Sequence, residues 1–298
     1  MSEEVVTFGN SRSLVGILHC PEEEAARRDV PAVLMLNAGI LHRVGPNRLY
    51  VTIARELERR GFHVLRFDVW GIGDSQDHLS AGESGTFFDD TLEAMEMLQR
   101  CIGASRFMLM GICMGAKIAL EVASRDSRVE SLVLMEGIYV KSARYHLTRI
   151  LDPEKWRRVF TGESQMVKKA RKRLLGHSAP SRGPQKTDSP GLFLDESLER
   201  RMKAKLDRSI ARGAKVLLVF RDGNEIAYNY RLRRTGDDIY AVGLPAGLDV
   251  RFVPFADHTF TPLVSQDLLL GVAMRWIERT HPAILRPAML EAPMAVSL

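Results

Sequence analysis

Short runs of consecutive apolar residues alternate along this chain with longer stretches in which apolar residues return every three or four positions. The short runs lack polar alternation, which is typical of strands buried on both faces of a parallel sheet. The longer stretches have the spacing of helices that cover such a sheet. The pattern predicts an α/β fold with a mostly parallel central sheet flanked by helices. The predicted elements are an N-terminal hairpin over 5–19, strands over 32–36, 63–68, 106–110, 131–138, 215–220 and 249–255, and helices over 47–60, 87–102, 263–280 and after residue 113.

One long segment, residues 139–213, interrupts this alternation. It carries basic runs at 168–173 and 199–205 on either side of a stretch with Pro, Ser and Gly. We interpret it as a basic helical lid inserted into the fold. The predicted organisation is a core of residues 1–138 and 214–281, the lid insertion of 139–213, and a C-terminal tail of 282–298.

Composition narrows the class of protein. The chain is 45% hydrophobic and 27% charged, values that are ordinary for a globular protein. Three cysteines are too few for a disulfide scaffold and suit a reducing compartment. The acidic N-terminus lacks the basic-then-apolar pattern of a secretory signal, and no apolar run reaches membrane-spanning length. We therefore expect a cytoplasmic protein with no membrane span.

The sequence Gly111-Ile-Cys113-Met-Gly115 joins a predicted strand to a helix that begins with small residues. A nucleophile between two glycines at this position sits on a strained turn at the end of a strand, and the glycines let strand and helix approach closely. The positive end of the helix dipole favours the thiolate form of a cysteine placed there. The motif therefore predicts Cys113 as a nucleophile.

Two further kinds of chemical group follow later predicted strands. His258 follows the last strand, and Asp222 and Glu225 follow the strand before it. The carboxyl ends of parallel strands share one crevice, so these groups and Cys113 would form a Cys-His-acid triad. His258 would take the thiol proton, and the acid would orient the imidazole. We prefer Glu225, which follows a Gly-Asn turn, to Asp222, and we expect Asp257 to point away from its neighbour His258 and make a turn contact.

The loop after the first parallel strand supplies the remaining candidate groups. An oxyanion hole would use the backbone N–H of Met114 and a second N–H from Gly39 or Ile40. Arg43 is the charged residue of this loop that we expect near the crevice, as a substrate-binding residue. The turn 71–75 lacks the Lys-Ser/Thr ending of a phosphate-binding loop, so we expect no nucleotide cofactor. We also expect no metal.

Several motifs at strand ends together resemble one family. They are Leu36-Asn-Ala-Gly39, His42-Arg-Val-Gly-Pro46, Phe67-Asp-Val-Trp-Gly-Ile-Gly-Asp-Ser75, Gly111-Ile-Cys-Met-Gly115, Gly223-Asn-Glu225 and Asp257-His-Thr-Phe260. The chain resembles an α/β-hydrolase, and within that superfamily it is similar to the exosortase A system-associated hydrolases of the hydrolase 1 type. The resemblance implies an α/β-hydrolase fold and a Cys-His-acid site at Cys113, His258 and Glu225. Met114 stands where the relatives would have an acidic residue, and the insertion is longer and more basic than in them.

A thiol nucleophile favours particular substrates. When a thiolate attacks an ester, the thiolate is the better leaving group of the tetrahedral intermediate, so the reaction tends to reverse. A thioester substrate removes this handicap because its two leaving groups are comparable. We therefore predict a thioesterase or esterase that forms an acyl-Cys intermediate on a small-molecule acyl substrate.

Two alternatives remain open at this point. An acyltransferase would pass the acyl group to an alcohol or amine, with the basic insertion docking an acyl carrier protein or a coenzyme A thioester. A non-catalytic binding module would keep the hydrolase scaffold with a decayed site, and its Cys113 would titrate like a free thiol. Nucleic acid is not expected as a partner, because aromatic residues are not interleaved with the basic runs.

Overall fold

The apolar runs of the sequence form the centre of a ten-stranded sheet in the computed structural model, which describes residues 2–9, 13–22, 27, 29–76, 86–151 and 196–285. The strands are Ser2–Phe8 (β1), Leu14–Cys20 (β2), Ala32–Leu36 (β3), Val64–Asp68 (β4), Phe107–Ile112 (β5), Val129–Met135 (β6), Lys215–Arg221 (β7), Arg231–Thr235 (β8), Asp238–Val242 (β9) and Leu248–Val253 (β10). The helices are Leu49–Arg59 (α1), Phe87–Ile102 (α2), Met114–Ala123 (α3), Ala143–Leu151 (α4), Glu196–Ala211 (α5) and Leu263–Thr280 (α6). Short 3₁₀ segments span Pro46–Arg48, Glu225–Asn229 and Pro282–Leu285.

The strand order is β1-β2-β4-β3-β5-β6-β7-β10-β9-β8. The six strands from β4 to β10 in this order are parallel, and antiparallel hairpins extend the sheet at both ends. Strands β3, β4 and β5 are buried along their whole length, which explains their apolar runs. The carboxyl ends of β3, β5, β6, β7 and β10 therefore lie along one edge, where chemistry can be assembled.

Helices cover both faces of the sheet. Apolar residues of α2, α3 and α5 pack into one core cluster, and those of α1 and α6 pack into the other. Helix α2 begins with a capping box in which Thr86 and Asp89 satisfy each other's backbone N–H groups. This arrangement of a central parallel sheet between two helical layers confirms the predicted α/β class.

Most predicted elements match the observed ones, with two differences. The strand expected over 131–138 ends at Met135, so Glu136 lies beyond it. The hairpin of β8 and β9 was not predicted, since the edge strand β8 is almost entirely exposed and rich in arginine.

The described part of the insertion consists of α4 and α5, while residues 152–195, including the basic run at 168–173, lie outside the described residues. Its role as a lid stays a prediction. Within the described ranges, no helix has the length and apolar character needed to cross a lipid bilayer.

Candidate active site

Cys113 occupies a sharp turn between β5 and α3. Its backbone has φ 54° and ψ −106°, a conformation that costs a non-glycine residue about 1–3 kcal/mol and that clusters at functional sites. Cys113 is the N-cap residue of helix α3, so the thiol lies at the helix N-terminus. The strained nucleophile turn predicted from the sequence is therefore present.

Close backbone packing holds this turn in place. A Cβ on Gly115 would lie 2.5 Å from the Leu36 carbonyl oxygen, so only glycine lets α3 begin against the end of β3. Tyr50 ties the same strands together, because its buried hydroxyl accepts from the Ile112 N–H and donates to the Leu36 carbonyl, both at 2.9 Å. Close packing and the two hydrogen bonds of Tyr50 thus fix the position of the nucleophile turn relative to strand β3.

His258 lies in the loop between β10 and α6. Asp257 stabilises this loop by accepting hydrogen bonds from the backbone N–H groups of Thr259 at 3.0 Å and Thr261 at 2.9 Å. These bonds lower the pKa of Asp257, the bond from Thr261 most strongly. Asp257 therefore makes the turn contact expected of it, and His258 hydrogen-bonds to the Cys113 side chain as predicted.

The carboxylate that contacts His258 belongs to Glu136, directly after β6. Its Oε2 lies 3.1 Å from His258 Nδ1 and accepts from the Tyr139 hydroxyl at 2.6 Å. Its Oε1 accepts from the Arg221 N–H at 2.6 Å and from the Asn224 side chain at 3.5 Å. The Glu136 side chain is fully buried. It reaches His258 across the end of β7, and both of its carboxylate oxygens accept hydrogen bonds.

This contact corrects the prediction for the acid of the triad. Glu225 begins a 3₁₀ segment, and its Oε2 accepts from the Tyr145 hydroxyl of α4 at 2.8 Å. Asp222 closes its own turn through the Gly223 N–H at 2.9 Å and pairs with Arg234 on β8 at 3.1 Å. The preferred acid Glu225 and the alternative Asp222 thus stabilise neighbouring elements, and Glu136 takes the place beside the imidazole.

The sequence contains a feature that could have identified Glu136 as the acid, but the predicted strand over 131–138 included this residue. It is a carboxylate at the end of an otherwise apolar run and is followed by Gly137. A Cβ at Gly137 would lie 2.6 Å from the Cys113 carbonyl oxygen, so this glycine marks close packing against the nucleophile turn. The positive φ of Glu136, 48°, turns its side chain out of the strand direction.

The charges of the three residues reinforce one another. The hydrogen bond with His258 lowers the pKa of the Cys113 thiol despite partial burial, and the nearby Lys117 charge acts in the same direction. The bonds to Cys113 and then to Glu136 raise the pKa of His258 to about 9. Burial alone would raise the pKa of Glu136, but its hydrogen bonds from His258, Tyr139 and Arg221 together lower it. At neutral pH these shifts favour a thiolate beside an imidazolium.

The groups predicted for an oxyanion hole lie in two segments, the start of α3 and the loop after β3, and the end of β3 packs against Gly115 of α3. The Met114 N–H hydrogen-bonds to the Cys113 sulfur, and Gly39 and Ile40 form an exposed turn directly after β3. Within the described part of the chain, the N–H groups of Gly39 and Ile40 donate to no other group. Their role with Met114 stays a prediction that this placement favours.

Arg43 lies in the loop after β3 and contacts carboxylates at and beyond the end of β4. Its guanidinium hydrogen-bonds to the buried Asp68 and lies 2.6 Å from Asp74, while its backbone N–H donates to Asp68 at 2.5 Å. Asp68 also accepts from the Asn37 side chain at 3.0 Å. Arg43 therefore braces the loop after β3, and its contact with substrate stays a prediction.

Comparison with known proteins agrees with this architecture. The family model described as "alpha/beta hydrolase fold" matches residues 31–229. Esterase EstD of Thermotoga maritima is 28% identical over 92 residues, which are 31% of this chain and 22% of the esterase. The match thus spans about a fifth of the length of that curated relative.

Solved structures show the same fold at low sequence identity. XC6422 from Xanthomonas campestris, described as a serine hydrolase without a lid, has a TM-score of 0.52 and 15% identity over 94% of this chain and 95% of its own. Est1E from Butyrivibrio proteoclasticus has a TM-score of 0.53 and 14% identity over 94% and 99% of the two chains. Because the family model covers more than half of the sequence and the sheet, helices and nucleophile turn agree with it, this chain belongs to the alpha/beta hydrolase fold family.

Proposed function

We propose that this protein hydrolyses or transfers acyl groups from esters or thioesters through an acyl-Cys113 intermediate. The carrying observation is the hydrogen-bonded chain from Cys113 through His258 to Glu136, set on a strained nucleophile turn. The match to Esterase EstD supports ester chemistry. The more specific likeness to the exosortase A system-associated hydrolases also remains a proposal.

The thiolate attacks the substrate carbonyl and forms a C–S bond. The N–H of Met114, with that of Gly39 or Ile40, stabilises the developing oxyanion. His258, which is protonated at neutral pH by virtue of its raised pKa, donates its proton to the departing alcohol or thiol. The intermediate collapses to an acyl-Cys113 thioester and a neutral imidazole.

Deacylation uses the neutral imidazole as a base. His258 takes a proton from water or another acceptor as that group attacks the acyl-Cys113 carbonyl. The C–S bond breaks, and the thiolate and imidazolium of the resting site are restored. Glu136 holds Nδ1 throughout, so that Nε2 faces the sulfur and the reacting oxygen.

A thioester donor suits this site better than an alkyl ester. The thiolate of Cys113 and the thiol of the donor are comparable leaving groups, so the tetrahedral intermediate partitions forward as well as backward. A carrier protein or coenzyme A could present such a thioester, and the basic insertion would then receive its acidic or phosphate-bearing surface.

Intact-protein mass spectrometry tests the proposal. After mixing with an acyl thioester of N-acetylcysteamine, the wild-type protein should gain the mass of one acyl group and release the thiol. Cys113→Ala should abolish both events. Cys101→Ala is the matched control, because Cys101 is exposed and lies outside the site. Acylation that persists in Cys113→Ala, or that never occurs, would contradict the proposal.

A further inference from the structure

The carboxylate of Asp68 takes no part in the chemistry described above, although burying it costs free energy. Asp68 is the last residue of β4, and its side chain is fully buried. Its oxygens accept from the Asn37 side chain at 3.0 Å, from the Arg43 backbone N–H at 2.5 Å and from the Arg43 guanidinium. A fourth and longer bond comes from the Asp74 N–H at 3.4 Å. Three of these four donors belong to the loop after β3, so the carboxylate is directed mainly at that loop.

Asn37 connects this carboxylate to both ends of a turn in the loop. Its Nδ2 donates one hydrogen to Asp68 and the other to the Leu41 carbonyl at 2.9 Å. Its Oδ1 accepts from the Val69 N–H at 2.9 Å, directly after β4. One buried amide therefore fixes the first and last residues of the turn 37–41 to the end of β4.

The tip of the turn 37–41 makes little packing contact. Ile40 is 90% exposed, and among the described residues a Cβ placed on Gly39 would meet nothing within 4 Å. The positions of the two N–H groups at the tip are therefore set by the hydrogen bonds at the ends of the turn. A donor stabilises an oxyanion only if it is held within hydrogen-bond distance of the place that the charged oxygen will occupy.

The sheet places this turn between Asp68 and the nucleophile turn. Strand β3 lies between β4 and β5, and Leu36 pairs with Gly111 in the parallel register of β3 and β5. The chain therefore leaves both strands at the same level of the sheet. A Cβ on Gly115 would lie 2.8 Å from the Asn37 carbonyl oxygen, so the Asn37 backbone packs directly against the first turn of α3. Asn37 thus contacts Asp68 with its side chain and α3 with its backbone.

Short lengths of chain join this contact to the reacting groups. Gly39 follows Asn37 by two residues, and Cys113 precedes Gly115 by two residues. Two residues of extended chain span at most about 7 Å. A displacement of Asn37 would therefore move the N–H groups at the tip of the turn relative to the Cys113 sulfur.

We propose that Asp68 and Asn37 are positioning residues of the oxyanion hole, an inference that rests on the proposed acyl-Cys113 chemistry. They hold the turn 37–41 so that an N–H at its tip faces, with that of Met114, the oxygen that becomes negative during thiolate attack. In that step the C–S bond forms and the π electrons of the carbonyl move to its oxygen. Asp68 and Asn37 act on this step through the turn, and not by touching the reacting atoms.

Two reactions of Cys113 separate this role from a general effect on the thiolate or the fold. Acylation by the N-acetylcysteamine thioester passes through an oxyanion, whereas alkylation by iodoacetamide displaces iodide at a saturated carbon and forms none. Asp68→Asn should slow acylation by about 30-fold. This loss is smaller than the roughly 10²–10³-fold cost of removing an oxyanion donor, because the donor is displaced and not removed. Alkylation of Cys113 at neutral pH, followed by peptide mass spectrometry, should keep its wild-type rate.

The matched control is Asp90→Asn. Asp90 is also a buried carboxylate, and it accepts from the Trp70 N–H at 2.8 Å in the segment after β4. Both reactions should keep their wild-type rates in this variant. Unchanged acylation in Asp68→Asn would overturn the proposal, and so would an equal loss in Asp90→Asn. Parallel losses of acylation and alkylation in Asp68→Asn would also overturn it, because they would assign the defect to the thiolate or the fold.

A second variant tests the same role without leaving the Arg43 guanidinium unpaired. Asn37→Ala keeps the Asp68 carboxylate and its bonds from Arg43, so it remains informative if Asp68→Asn does not fold. It should slow acylation by about tenfold, the range expected for one or two lost hydrogen bonds, with alkylation unchanged. Wild-type acylation in folded Asn37→Ala would overturn the role of this amide.

An aldehyde separates this inference from the proposed function, because its addition needs no acyl transfer. The Cys113 thiolate adds to the carbonyl of butanal, a C–S bond forms, and the π electrons move to the oxygen that the same N–H groups hold. The occupied sulfur is then protected from iodoacetamide. Asp68→Asn should need about tenfold more butanal than wild type for half protection, as for one or two lost hydrogen bonds.

The outcomes of the aldehyde experiment are distinct. Protection that weakens in Asp68→Asn, in a protein that no thioester acylates, would remove the proposed function and leave the positioned oxyanion hole. Acylation of the wild-type protein with equal protection in wild type and Asp68→Asn would remove only the positioning role.

Discussion

Two glutamate–histidine pairs in this molecule have the same hydrogen-bond length, but the pKa of the imidazole is shifted in opposite directions in the two. His258 Nδ1 lies 3.1 Å from Glu136, and His19 Nδ1 lies 3.1 Å from Glu58. The pKa of His258 is raised to about 9 by its bonds to Cys113 and Glu136, whereas burial lowers the pKa of His19. A carboxylate beside an imidazole therefore does not by itself decide the charge of the ring.

The third partner accounts for part of the difference. Arg66 Nε donates to His19 Nε2 at 2.9 Å, and since an arginine can only donate, His19 must be neutral with its proton on Nδ1. The corresponding partner of His258 is the Cys113 thiol, which gains from an imidazolium beside it. A cation thus keeps one ring neutral, and a thiolate keeps the other charged.

Exposure and hydrogen-bond satisfaction account for the rest. The His19 side chain is fully buried, while that of His258 is 44% exposed and can carry charge in contact with solvent. Within the described residues, Glu58 Oε1 has no hydrogen-bond partner, whereas both oxygens of Glu136 accept. The Glu136 site is built for an ionised carboxylate, and the Glu58 pair is a buried structural contact.

The largest expected effect comes from removing the imidazole at the candidate site. His258→Ala should slow acylation by about 10⁴-fold, the upper range for losing a positioned acid–base group. His19→Gln is the matched change at the other pair and should leave the acylation rate of folded protein unchanged. Thiol release from an acyl thioester measures the acylation rate of both variants. Equal losses in His258→Ala and His19→Gln would contradict the assignment of His258 to catalysis and His19 to structure.

The second largest effect on the acylation rate is expected from replacing the carboxylate of Glu136. Glu136→Gln should slow acylation by about 10²-fold, because the imidazole loses the carboxylate that orients it and stabilises its charge. Glu225→Gln and Asp222→Asn are the controls and should stay close to wild type. A loss in Glu225→Gln with normal activity in Glu136→Gln would restore the acid predicted from the sequence.

The structural pair should affect stability instead of chemistry. Glu58→Ala leaves the His19 Nδ1–H without an acceptor in the interior and should lower the free energy of unfolding by about 1–3 kcal/mol. Urea unfolding measures this loss. Thiol release per folded molecule should not change, and a large change there would mean that the pair acts on the site.

The pH dependence of stability follows from the buried imidazoles. Burial lowers the pKa of His19, His63 and His281 in the folded state, so the unfolded chain binds protons more readily. Their contribution to the free energy of unfolding should be present at neutral pH and fall as the pH drops below about 6.5. His19→Gln should reduce this acid sensitivity in urea unfolding, and an unchanged slope would contradict the neutral assignment of His19.

The smallest expected effect comes from removing a hydroxyl group that donates to the Glu136 carboxylate. Tyr139→Phe removes one hydrogen bond to the Glu136 carboxylate and should cost less than about tenfold in activity, since three other donors remain. Losing that donor raises the pKa of Glu136, so activity should disappear at a higher pH on the acid side than in wild type. A uniform loss at every pH would indicate a structural defect instead.

The comparison also shows what the sequence could predict. The buried strands and the Gly111–Gly115 turn follow from local patterns, and the order of nucleophile, acid and histidine is kept in the structure. The choice of acid depends on where a side chain points at a strand end, which one backbone angle at Glu136 decides. Spacing in the sequence carries no information on that angle, and the polar turn at Asp222 and Glu225 was the more conspicuous feature.

The buried pair of His19 and Glu58 could not be predicted for a related reason. The two residues come from β2 and α1, and their contact depends on how that helix lies against the sheet. Neither residue belongs to a motif, and His19 is one of several histidines at strand ends in the sequence. Long-range packing, which single-sequence patterns do not encode, decides which histidine meets a carboxylate.

The pH dependence of Cys113 alkylation tests the central claim most directly. Iodoacetamide labelling of this cysteine, followed by peptide mass spectrometry, reports the thiolate in wild type, Glu136→Gln and Glu225→Gln. We predict that wild type and Glu225→Gln react well below the free-thiol pKa of about 8.5, and that Glu136→Gln shifts toward it. A wild-type thiol that titrates near the free value, or a shift in Glu225→Gln alone, would contradict the account.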